Sequence, residues 1–259
     1  MPDKLPYQEL IDGNLPPWMM RFVKGVGRTI NKYNMIQEND NVLIAASGGK
    51  DSLALALALS LRRKWMPVKY TIEALMINWI GHPIPEEYKD RLARFFSDLD
   101  IKFTMFDEKQ FPESFKGEFN CYLCSRNRRR ILFEYADKHD ISLIAMGHHL
   151  DDLVETSLIN LCFRGHFNTM LPVQQFFDGK MHIIRPMIET KENVPKRISE
   201  LYDIPTVKPV CPYDQTNIRS KVKPIVSELA HIDKLSREHI YNAYNFDYKL
   251  EKHVDNGKQ

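Results

Sequence analysis

Long apolar runs, a secretion signal and an excess of either charge are all missing from this chain of 259 residues. The longest apolar run, around Leu53 to Leu61, is far too short to cross a bilayer, and the polar start Met1-Pro-Asp-Lys does not resemble a signal peptide. We therefore expect a cytoplasmic protein without a membrane partner. The formal net charge of +2 neither requires nor excludes nucleic acid, so local clusters of charge must indicate the partner.

Cysteine is scarce as well, with four residues in the chain. Thiols stay reduced in the cytoplasm, so these four favour a metal centre or reactive thiols over disulfides. Hydrophobic residues make up 43% of the sequence, which suffices for one sizeable core or for a main domain with an appendage. A second full domain is not expected.

The stretch Asn41 to Ser52, NVLIAASGGKDS, is the strongest local signal. Its apolar first half predicts a buried strand, and the following SLALALALSLRRK predicts a helix. Glycines between the two let several backbone N–H groups point at one anion, where the helix N-terminus adds partial positive charge. Asp51 can also hold a magnesium ion that bridges phosphate oxygens. If the stretch is not an ordinary glycine turn, its nucleotide contacts are Ser47, Gly48, Gly49, Lys50, Asp51 and Ser52.

A second strand is predicted over residues 68–79, VKYTIEALMINW. Nucleotides bind at the carboxyl ends of strands in open α/β sheets, so the end of this strand is expected beside adenine and ribose. Asn78 is the best polar candidate for a nucleotide contact there. Ile77 and Trp79 are equally well explained as core residues.

Cys121 and Cys124 form a Cys-x-x-Cys pair, whose spacing lets two sulfurs bind one metal centre. Taken alone, such a pair can be two inert thiols, and the arginines after it can form a solvated helix face. Beside a phosphate loop, the combination indicates a reactive centre approached by a polyanion. The residues assigned to RNA binding are Arg126, Arg128, Arg129 and Arg130, with Arg164 as a weaker candidate in a later loop.

The segment GHHLDDLVET, residues 147–156, follows a predicted fourth strand. Acidic residues in a first helical turn are common for dipole reasons alone, but opposite a phosphate loop they are expected to organise Mg²⁺ or substrate. A helix that begins here places Asp151 and Asp152 on a surface shared with Glu155. We predict Asp51, Asp151 and Asp152 as magnesium ligands, and Gly147 and His148 as nucleotide contacts.

Two cysteines remain, of which Cys162 lies in an apolar helical stretch and is expected in the core. The other, Cys211, would join Cys121 and Cys124 as a third thiolate, one fewer than an all-cysteine zinc site or an ordinary iron–sulfur cluster uses. Three ligands leave one coordination position open, which suits catalysis. A structural zinc site would instead take a histidine or aspartate as its fourth ligand.

Four landmarks in this order resemble the PP-loop ATP pyrophosphatase family and, within it, the tRNA 2-thiocytidine synthetase family. SGGKDS differs from a Walker sequence because Asp51 follows the lysine and the upstream glycine is missing. The landmarks are SGGKDS at 47–52, CYLCSRNRR at 121–129, GHHLDD at 147–152 and the Pro-Val-Cys that ends at Cys211.

The resemblance implies a two-step reaction. ATP, cut between its α and β phosphates, adenylates the C2 oxygen of a tRNA cytidine, and sulfur then displaces AMP. The resemblance also implies a [4Fe-4S] cluster on Cys121, Cys124 and Cys211 whose open iron site carries the activated sulfur. Catalytic roles would fall on these cysteines, Asp51 and Asp152. The expected cofactors are ATP, Mg²⁺ and the cluster; the expected partners are tRNA, a sulfur donor (a cysteine desulfurase persulfide or sulfide) and a second copy of the chain.

The resemblance implies one doubly wound, Rossmann-like α/β fold of the adenine nucleotide alpha hydrolase type, with a parallel sheet of about five strands and helical terminal extensions. We expect an N-terminal extension with an amphipathic helix at 1–37, a PP-loop ATP-binding domain at 38–205, and a cysteine-bearing segment with a helical tail at 206–259. Two alternative functions stay open. One is thiolation of another tRNA base or a small molecule, and the other is a nucleotide-binding protein with structural zinc.

Overall fold

A computed structural model of the protein describes residues 4–111, 115, 121–207 and 217–244. Helices and strands alternate along most of this chain, as an α/β fold requires. The elements are α1 (Pro6–Ile11), α2 (Pro17–Lys32), β1 (Asn41–Ala46), α3 (Lys50–Arg63), β2 (Thr71–Trp79), α4 (Glu86–Asp98), β3 (Lys102–Glu108), α5 (Cys121–Lys138), β4 (Leu143–Ala145), α6 (Leu150–Arg164), β5 (Val173–Phe176), β6 (Met181–Ile184), α7 (Asn193–Leu201), α8 (Ile218–Ile232) and α9 (Ser236–Asn242).

The strands form one sheet in the order β3-β2-β1-β4-β6-β5. Every neighbouring pair is parallel except β5 and β6, which are antiparallel. The α/β class is therefore confirmed, with six strands where about five were predicted. The additional strand is β5, whose sequence VQQF is too short and polar to signal a strand without its partner. The chain leaves β1 toward β2 on one side and reaches β4 on the other, which opens a crevice at the carboxyl end of β1.

The centre of the core is β1 together with α3. Every residue of α3 from Ser52 to Leu61 is buried, so this helix is covered on all sides. One face of the sheet carries the large cluster that includes α2, α3 and α4, and the opposite face carries a smaller cluster around Leu132, Ile144 and Ile183. The phosphate loop between β1 and α3 is therefore fixed at both ends by buried elements.

The terminal helices share this core. Tyr7 near the N-terminus and Tyr244 near the end of the described chain belong to the same buried cluster as Ile44 of β1. Helices α8 and α9 pack on α6. The predicted domain boundaries stay a prediction. In the described ranges, no helix has both the length and the apolarity that crossing a membrane demands.

Cys162 was expected in the core, but the structure exposes it. Its neighbours Leu161 and Phe163 are exposed as well. The buried positions of α6 end at Ile159, so the last turn of the helix extends past the core and even its apolar residues reach solvent.

Candidate active site

The loop from Ser47 to Gly49 turns sharply from β1 into α3. Gly48 has φ +75°, a backbone conformation that a side chain would strain, and a Cβ there would also lie 2.7 Å from Met76 Cε. Gly49 occupies the N-cap position of α3, where it has no side chain to cover the first N–H groups. The Ser47 and Ser52 hydroxyls lie 3.2 Å apart beneath the turn. The loop therefore presents backbone N–H groups, two hydroxyls and a helix N-terminus at one point, as the sequence predicted for an anion site.

Gly147, at the end of β4, packs directly against this loop. A Cβ at this position would lie 2.9 Å from the backbone C and O of Asp51 and 2.9 Å from the backbone N of Ser52. These are main-chain atoms of a buried helix, so they cannot move aside as a flexible side chain would. The glycine is thus required because the chain after β4 meets the first turn of α3 here, and a nucleotide contact is a further expectation for it.

Lys50 is held by two carboxylates. Its Nζ lies 3.0 Å from Asp51 Oδ2 and 3.2 Å from Glu192 Oε1, and Glu192 also accepts a hydrogen bond from Lys223 at 2.6 Å. Burial lowers the pKa of Lys50, but the two carboxylates outweigh it and raise the pKa above its ordinary value. Burial likewise raises the pKa of Glu192, and the two lysines lower it to about 2. Lys50 is therefore charged and positioned beside the loop.

Asp51 directs an unused oxygen into the site. Its Oδ1 is inaccessible to solvent and has no hydrogen-bond partner in the described chain. His149 Nε2 lies 3.7 Å from this oxygen, while His149 Nδ1 accepts from the backbone N–H of Asp152 at 3.3 Å. A buried carboxylate oxygen without a partner is costly unless something binds it. This arrangement fits a cation at Asp51.

A small pocket of about 90 Å³ lies at the carboxyl end of β2. It is the place predicted for adenine and ribose, and its lining is largely apolar. Asn78 is buried there, but its amide donates to Asp107 Oδ1 and its Oδ1 accepts from the backbone N–H of Ile84 at 2.8 Å. Both ends of the Asn78 amide therefore brace the pocket wall, and the direct nucleotide contact predicted for Asn78 stays a prediction.

Cys124 lines the same pocket, as does Ser47. Gln110 Nε2 donates to Cys124 Sγ at 3.0 Å, and Asn127 Nδ2 donates to Gln110 O at 2.8 Å, which ties this loop to the start of α5. Cys121, one helical turn before Cys124, is exposed. Cys211 lies outside the described residues, so the structure tests nothing about it. Both cysteines of the Cys-x-x-Cys pair stand in the first turn of α5.

A larger cleft of about 620 Å³ adjoins the pocket and runs from the phosphate loop toward β6. Arginines dominate its charged lining, and Asp51 and Asp152 are its only described carboxylates; the lining arginines are Arg128, Arg129, Arg164, Arg185 and Arg219. Three of the five arginines predicted to bind RNA are thus in the cleft. The other two are not: Arg126 is exposed outside it, and Arg130 pairs with Glu134 at 2.7 Å along the outer face of α5.

Asp151 and Asp152 were predicted as a pair of magnesium ligands, but their side chains point in different directions. Asp151 is buried, accepts from the backbone N–H of Glu192 at 2.8 Å and pairs with Arg237 of α9. Asp151 therefore anchors the C-terminal helices, and its predicted role as a magnesium ligand stays a prediction. Asp152 does line the cleft, where its Oδ1 lies 3.2 Å from Arg219 Nη1 and its Oδ2 accepts from the backbone N–H of His149 at 3.0 Å.

His148 and Arg185 form a neutral–cationic pair at the β4 and β6 ends of the cleft. Arg185 Nε donates to His148 Nδ1 at 3.2 Å, which requires the tautomer of His148 that carries its proton on Nε2. Burial, reinforced by the charge of Arg185, lowers the pKa of His148 to about 4. His148 is therefore neutral near pH 7.

Sequence reasoning missed Arg219 and His149. Arg219 of α8 binds Asp152 and also Glu155 at 3.0 Å and Thr156 at 2.9 Å. No local pattern distinguishes this arginine from other basic residues near the C-terminus. His149 caps α6 through its ring nitrogen, a role usually taken by Ser, Thr, Asp or Asn. Its position immediately before Leu150 and two acidic residues was the one available signal.

Known proteins match this chain over most of its length. A family model described as a PP-loop domain matches residues 22–204. The tRNA-cytidine(32) 2-sulfurtransferase of Janthinobacterium sp. (strain Marseille) is 33% identical over 80% of this chain and 66% of its own length. The enzyme of the same name from Burkholderia cenocepacia (strain HI2424) is 33% identical over 87% of this chain and 68% of its own. The chain thus spans about two thirds of the length of these relatives.

A solved structure has the same fold. It is the U34-tRNA thiolase NcsA from Methanococcus maripaludis with its [4Fe-4S] cluster, 24% identical, with a TM-score of 0.69 over 86% of this chain and 78% of that chain. The relatives found by sequence are more similar to this chain, at 33% identity, than this solved structure is. By its matched domain and its relatives, the chain belongs to the PP-loop family and, within it, to the family of the tRNA-cytidine(32) 2-sulfurtransferases, as its motifs predicted.

Proposed function

We propose that the protein is an ATP-dependent tRNA sulfurtransferase that forms 2-thiocytidine. ATP adenylates the C2 oxygen of the target cytidine with release of pyrophosphate, and a sulfur nucleophile then attacks C2 and displaces AMP. The relatives named tRNA-cytidine(32) 2-sulfurtransferase support the substrate and the reaction. The single observation that carries the proposal is the position of Cys124, which borders the same small pocket as Ser47 of the phosphate loop.

The shared position of a thiol and a phosphate loop is what this reaction needs. Adenylation and sulfur transfer act on one carbon–oxygen unit in succession, so both groups must reach the same base without its release. Arg128 lines both the pocket and the cleft and lies over the ring of Trp79 at 5.7 Å from its centroid. A simple nucleotide-binding protein has no need for a cysteine at this place.

ATP fits the loop and the pocket. The N–H groups of the loop would hold the leaving pyrophosphate, Lys50 would offset its charge, and the apolar walls at the end of β2 would take adenosine. Mg²⁺ fits Asp51, because Mg²⁺ is usually bound by one or two carboxylates and by phosphate oxygens rather than by a full protein cage. When bound, the ion would neutralise charge on the phosphates. Asp152 is the second candidate ligand, and Arg219 now holds one of its oxygens.

A [4Fe-4S] cluster fits the chemistry of the cysteines. Cys121 and Cys124 are one turn apart at the start of α5, so they share a helix face. The backbone N–H of Val207 donates to Gly48 O at 2.8 Å, and Cys211 follows four residues later, within about 14 Å of chain reach from a wall of the pocket. Three cysteines leave one iron without a protein ligand, and when bound the cluster would supply that iron as the carrier of sulfur.

Other residues of the cleft would position the substrates and neutralise their negative charge. Arg128 and Arg129 would attract the RNA backbone to the cleft, and Asp51 would hold the magnesium ion beside the phosphates. Gln110 donates a hydrogen bond to Cys124 Sγ and so holds the orientation of that side chain. The sulfur donor, either a cysteine desulfurase persulfide or sulfide, and assembly into a homodimer are further parts of this proposal.

The test is product analysis with anaerobically purified protein, ATP, Mg²⁺, sulfide and an unmodified tRNA transcript that has cytidine at position 32. We expect 2-thiocytidine in the digested tRNA, one AMP per thiolation, and iron and acid-labile sulfide at about four each per chain. Cys124→Ser should abolish the thionucleoside and lower the iron content. Cys162→Ser is the matched control, because that cysteine is exposed on the far end of α6.

Each alternative function predicts a different result. Stoichiometric zinc without iron, together with no thionucleoside, would contradict the proposal in favour of a structural metal. A thionucleoside other than 2-thiocytidine would keep the chemistry and overturn the proposed base. If Cys124→Ser retained full activity, the role of the Cys-x-x-Cys pair would be wrong.

A further inference from the structure

Arg185, directly after β6, is a buried cation for which the described residues provide no ion-pair partner. The residue is 5% exposed, and its guanidinium donates to three neutral acceptors: His148 Nδ1 at 3.2 Å, Leu171 O at 2.5 Å and Gln174 Oε1 at 3.3 Å. No carboxylate of the described chain lies within ion-pair distance of it. An arginine has more N–H donors than these three bonds use, and the side chain lines the cleft.

Such an arrangement is unfavourable for the empty protein. A buried charge is normally paired, because the loss of hydration is not recovered from neutral groups. Burial lowers the pKa of Arg185 to about 10; the nearby Arg129 acts in the same direction, and Asp152 opposes both from beyond ion-pair distance. Even so, Arg185 remains charged near pH 7. An anion that enters the cleft from outside would compensate the buried charge of Arg185.

The phosphates of ATP are not the best candidates for this anion. The loop that fits them follows β1, and the pocket that fits adenosine lies at the end of β2. Arg185 lies on the other side, because β6 is two strands from β1, roughly 10 Å at the usual strand spacing. This half of the cleft also contains Arg164 and His148, and it is the half left for the acceptor.

We propose that Arg185 binds a phosphodiester group of the RNA acceptor beside the target nucleotide. The inference rests on the proposed function, since it takes RNA as the acceptor. A guanidinium suits this task because its planar N–H fork matches two phosphate oxygens. Leu171 O and Gln174 fix the plane of the fork before the ligand arrives, so little side-chain entropy is lost on binding. Arg185 thus positions the RNA backbone, and other contacts determine which base is bound.

The test compares Arg185→Gln with the wild-type protein in binding an unmodified tRNA transcript over a range of salt concentrations. Loss of one phosphate contact should weaken binding roughly tenfold and reduce the slope of log Kd against log salt by about one. The KM for ATP should stay within about twofold of the wild-type value, since the phosphate loop is untouched. Arg91→Gln is the matched control, because Arg91 lies on α4 and pairs with Asp203 on the surface.

A second arm identifies the phosphate. Transcripts with an uncharged methylphosphonate at single positions around cytidine 32 should show one position where wild-type binding weakens and Arg185→Gln binding does not. Should Arg185→Gln fail to fold, Arg185→Lys replaces it, because it keeps the charge and removes the fork. The methylphosphonate at that one position of the transcript should then weaken binding less for Arg185→Lys than for the wild-type protein.

The outcomes separate the two proposals. If the wild-type protein binds no tRNA, the proposed function fails and this inference with it. If the wild-type protein thiolates tRNA but residue 185 changes neither the salt slope nor the response to any methylphosphonate, only the inference about Arg185 is wrong. An increase in the KM for ATP with unchanged tRNA binding would assign the phosphate to ATP and would also overturn it.

Discussion

The two halves of the cleft are built in different ways. The nucleotide half, at the ends of β1 and β2, is built mainly on short continuous segments, the loop Ser47 to Gly49 and the strand end Met76 to Trp79, and Cys124 and Val207 complete the pocket wall. The half at the ends of β4 and β6 is assembled from distant segments. Arg219 meets Asp152 across 67 residues of chain, and Arg237 meets Asp151 across 86.

This difference shows what each half depends on. The nucleotide half depends on backbone geometry, because glycines and a helix N-terminus bind phosphate through main-chain groups. The other half depends on side-chain charges that the packing of α8 and α9 against α6 brings together. We therefore expect substitutions in the nucleotide half to reduce the reaction with ATP. Substitutions in the other half should mainly lower the free energy of unfolding and weaken RNA binding.

Asp51→Asn should have the largest effect. The substitution keeps the size of the side chain but removes the charge of the buried oxygen that fits a cation, so ATP-dependent release of pyrophosphate should fall about 1000-fold or more. Binding of tRNA should change by less than about twofold, because Asp51 belongs to the nucleotide half. Pyrophosphate release and tRNA binding are measured on the same preparation. Asp178→Asn, in an exposed turn with φ 56°, is the control. Equal loss of both activities would contradict the division of the cleft.

Gly147→Ala should break the contact between the halves. The added Cβ meets main-chain atoms of Asp51 and Ser52 at 2.9 Å, so either the end of β4 or the first turn of α3 must shift. We expect a loss of about 1–3 kcal/mol in the free energy of unfolding, measured with denaturant, and a rise in the KM for ATP. Gly81→Ala is the matched control because a Cβ there has open space within 4 Å. Equal free energies of unfolding for both variants would contradict this prediction, since they would show that the loop accommodates the added Cβ without destabilisation.

Arg219→Gln should have the smallest effect, confined to the β4–β6 half. The substitution removes the ion-pair partner of Asp152 and of the buried Glu155. Because the Arg219 side chain is 42% exposed, we expect the free energy of unfolding to fall by only about 1–2 kcal/mol. The KM for ATP should stay unchanged. Lys221→Gln, an exposed neighbour on α8, is the control.

The loss in Arg219→Gln should depend on pH. Burial raises the pKa of Glu155 above 4.5, and Arg219 opposes that rise. An acid whose pKa is raised by folding costs stability as the pH increases through that range, and more so without Arg219. The deficit of the variant should therefore be largest near pH 7.5 and shrink toward about pH 5, as unfolding curves at both values will show. A deficit that is independent of pH would mean that Glu155 is not the group that Arg219 stabilises.

Much of the fold followed from the sequence, and the exceptions have physical causes. The strand at Asn41–Ala46 and the helix after it were predicted because apolar periodicity and glycine act over a few residues. Strand β5 was missed, since its polar sequence is held by its pairing with β6. Cys162 was misplaced because periodicity marks an apolar helix face but not the point where the core ends.

By itself, the sequence determined the phosphate loop, the Cys-x-x-Cys pair on a helix and the acidic start of α6, because each depends on neighbouring residues. Only the tertiary structure decided that Asn78 braces the pocket wall, that Asp151 faces Arg237 and that Arg185 has only neutral hydrogen-bond partners among the described residues. The reason is that the energy of a charged or amide group is set by which groups surround it after burial. Those groups come from segments that no local pattern connects.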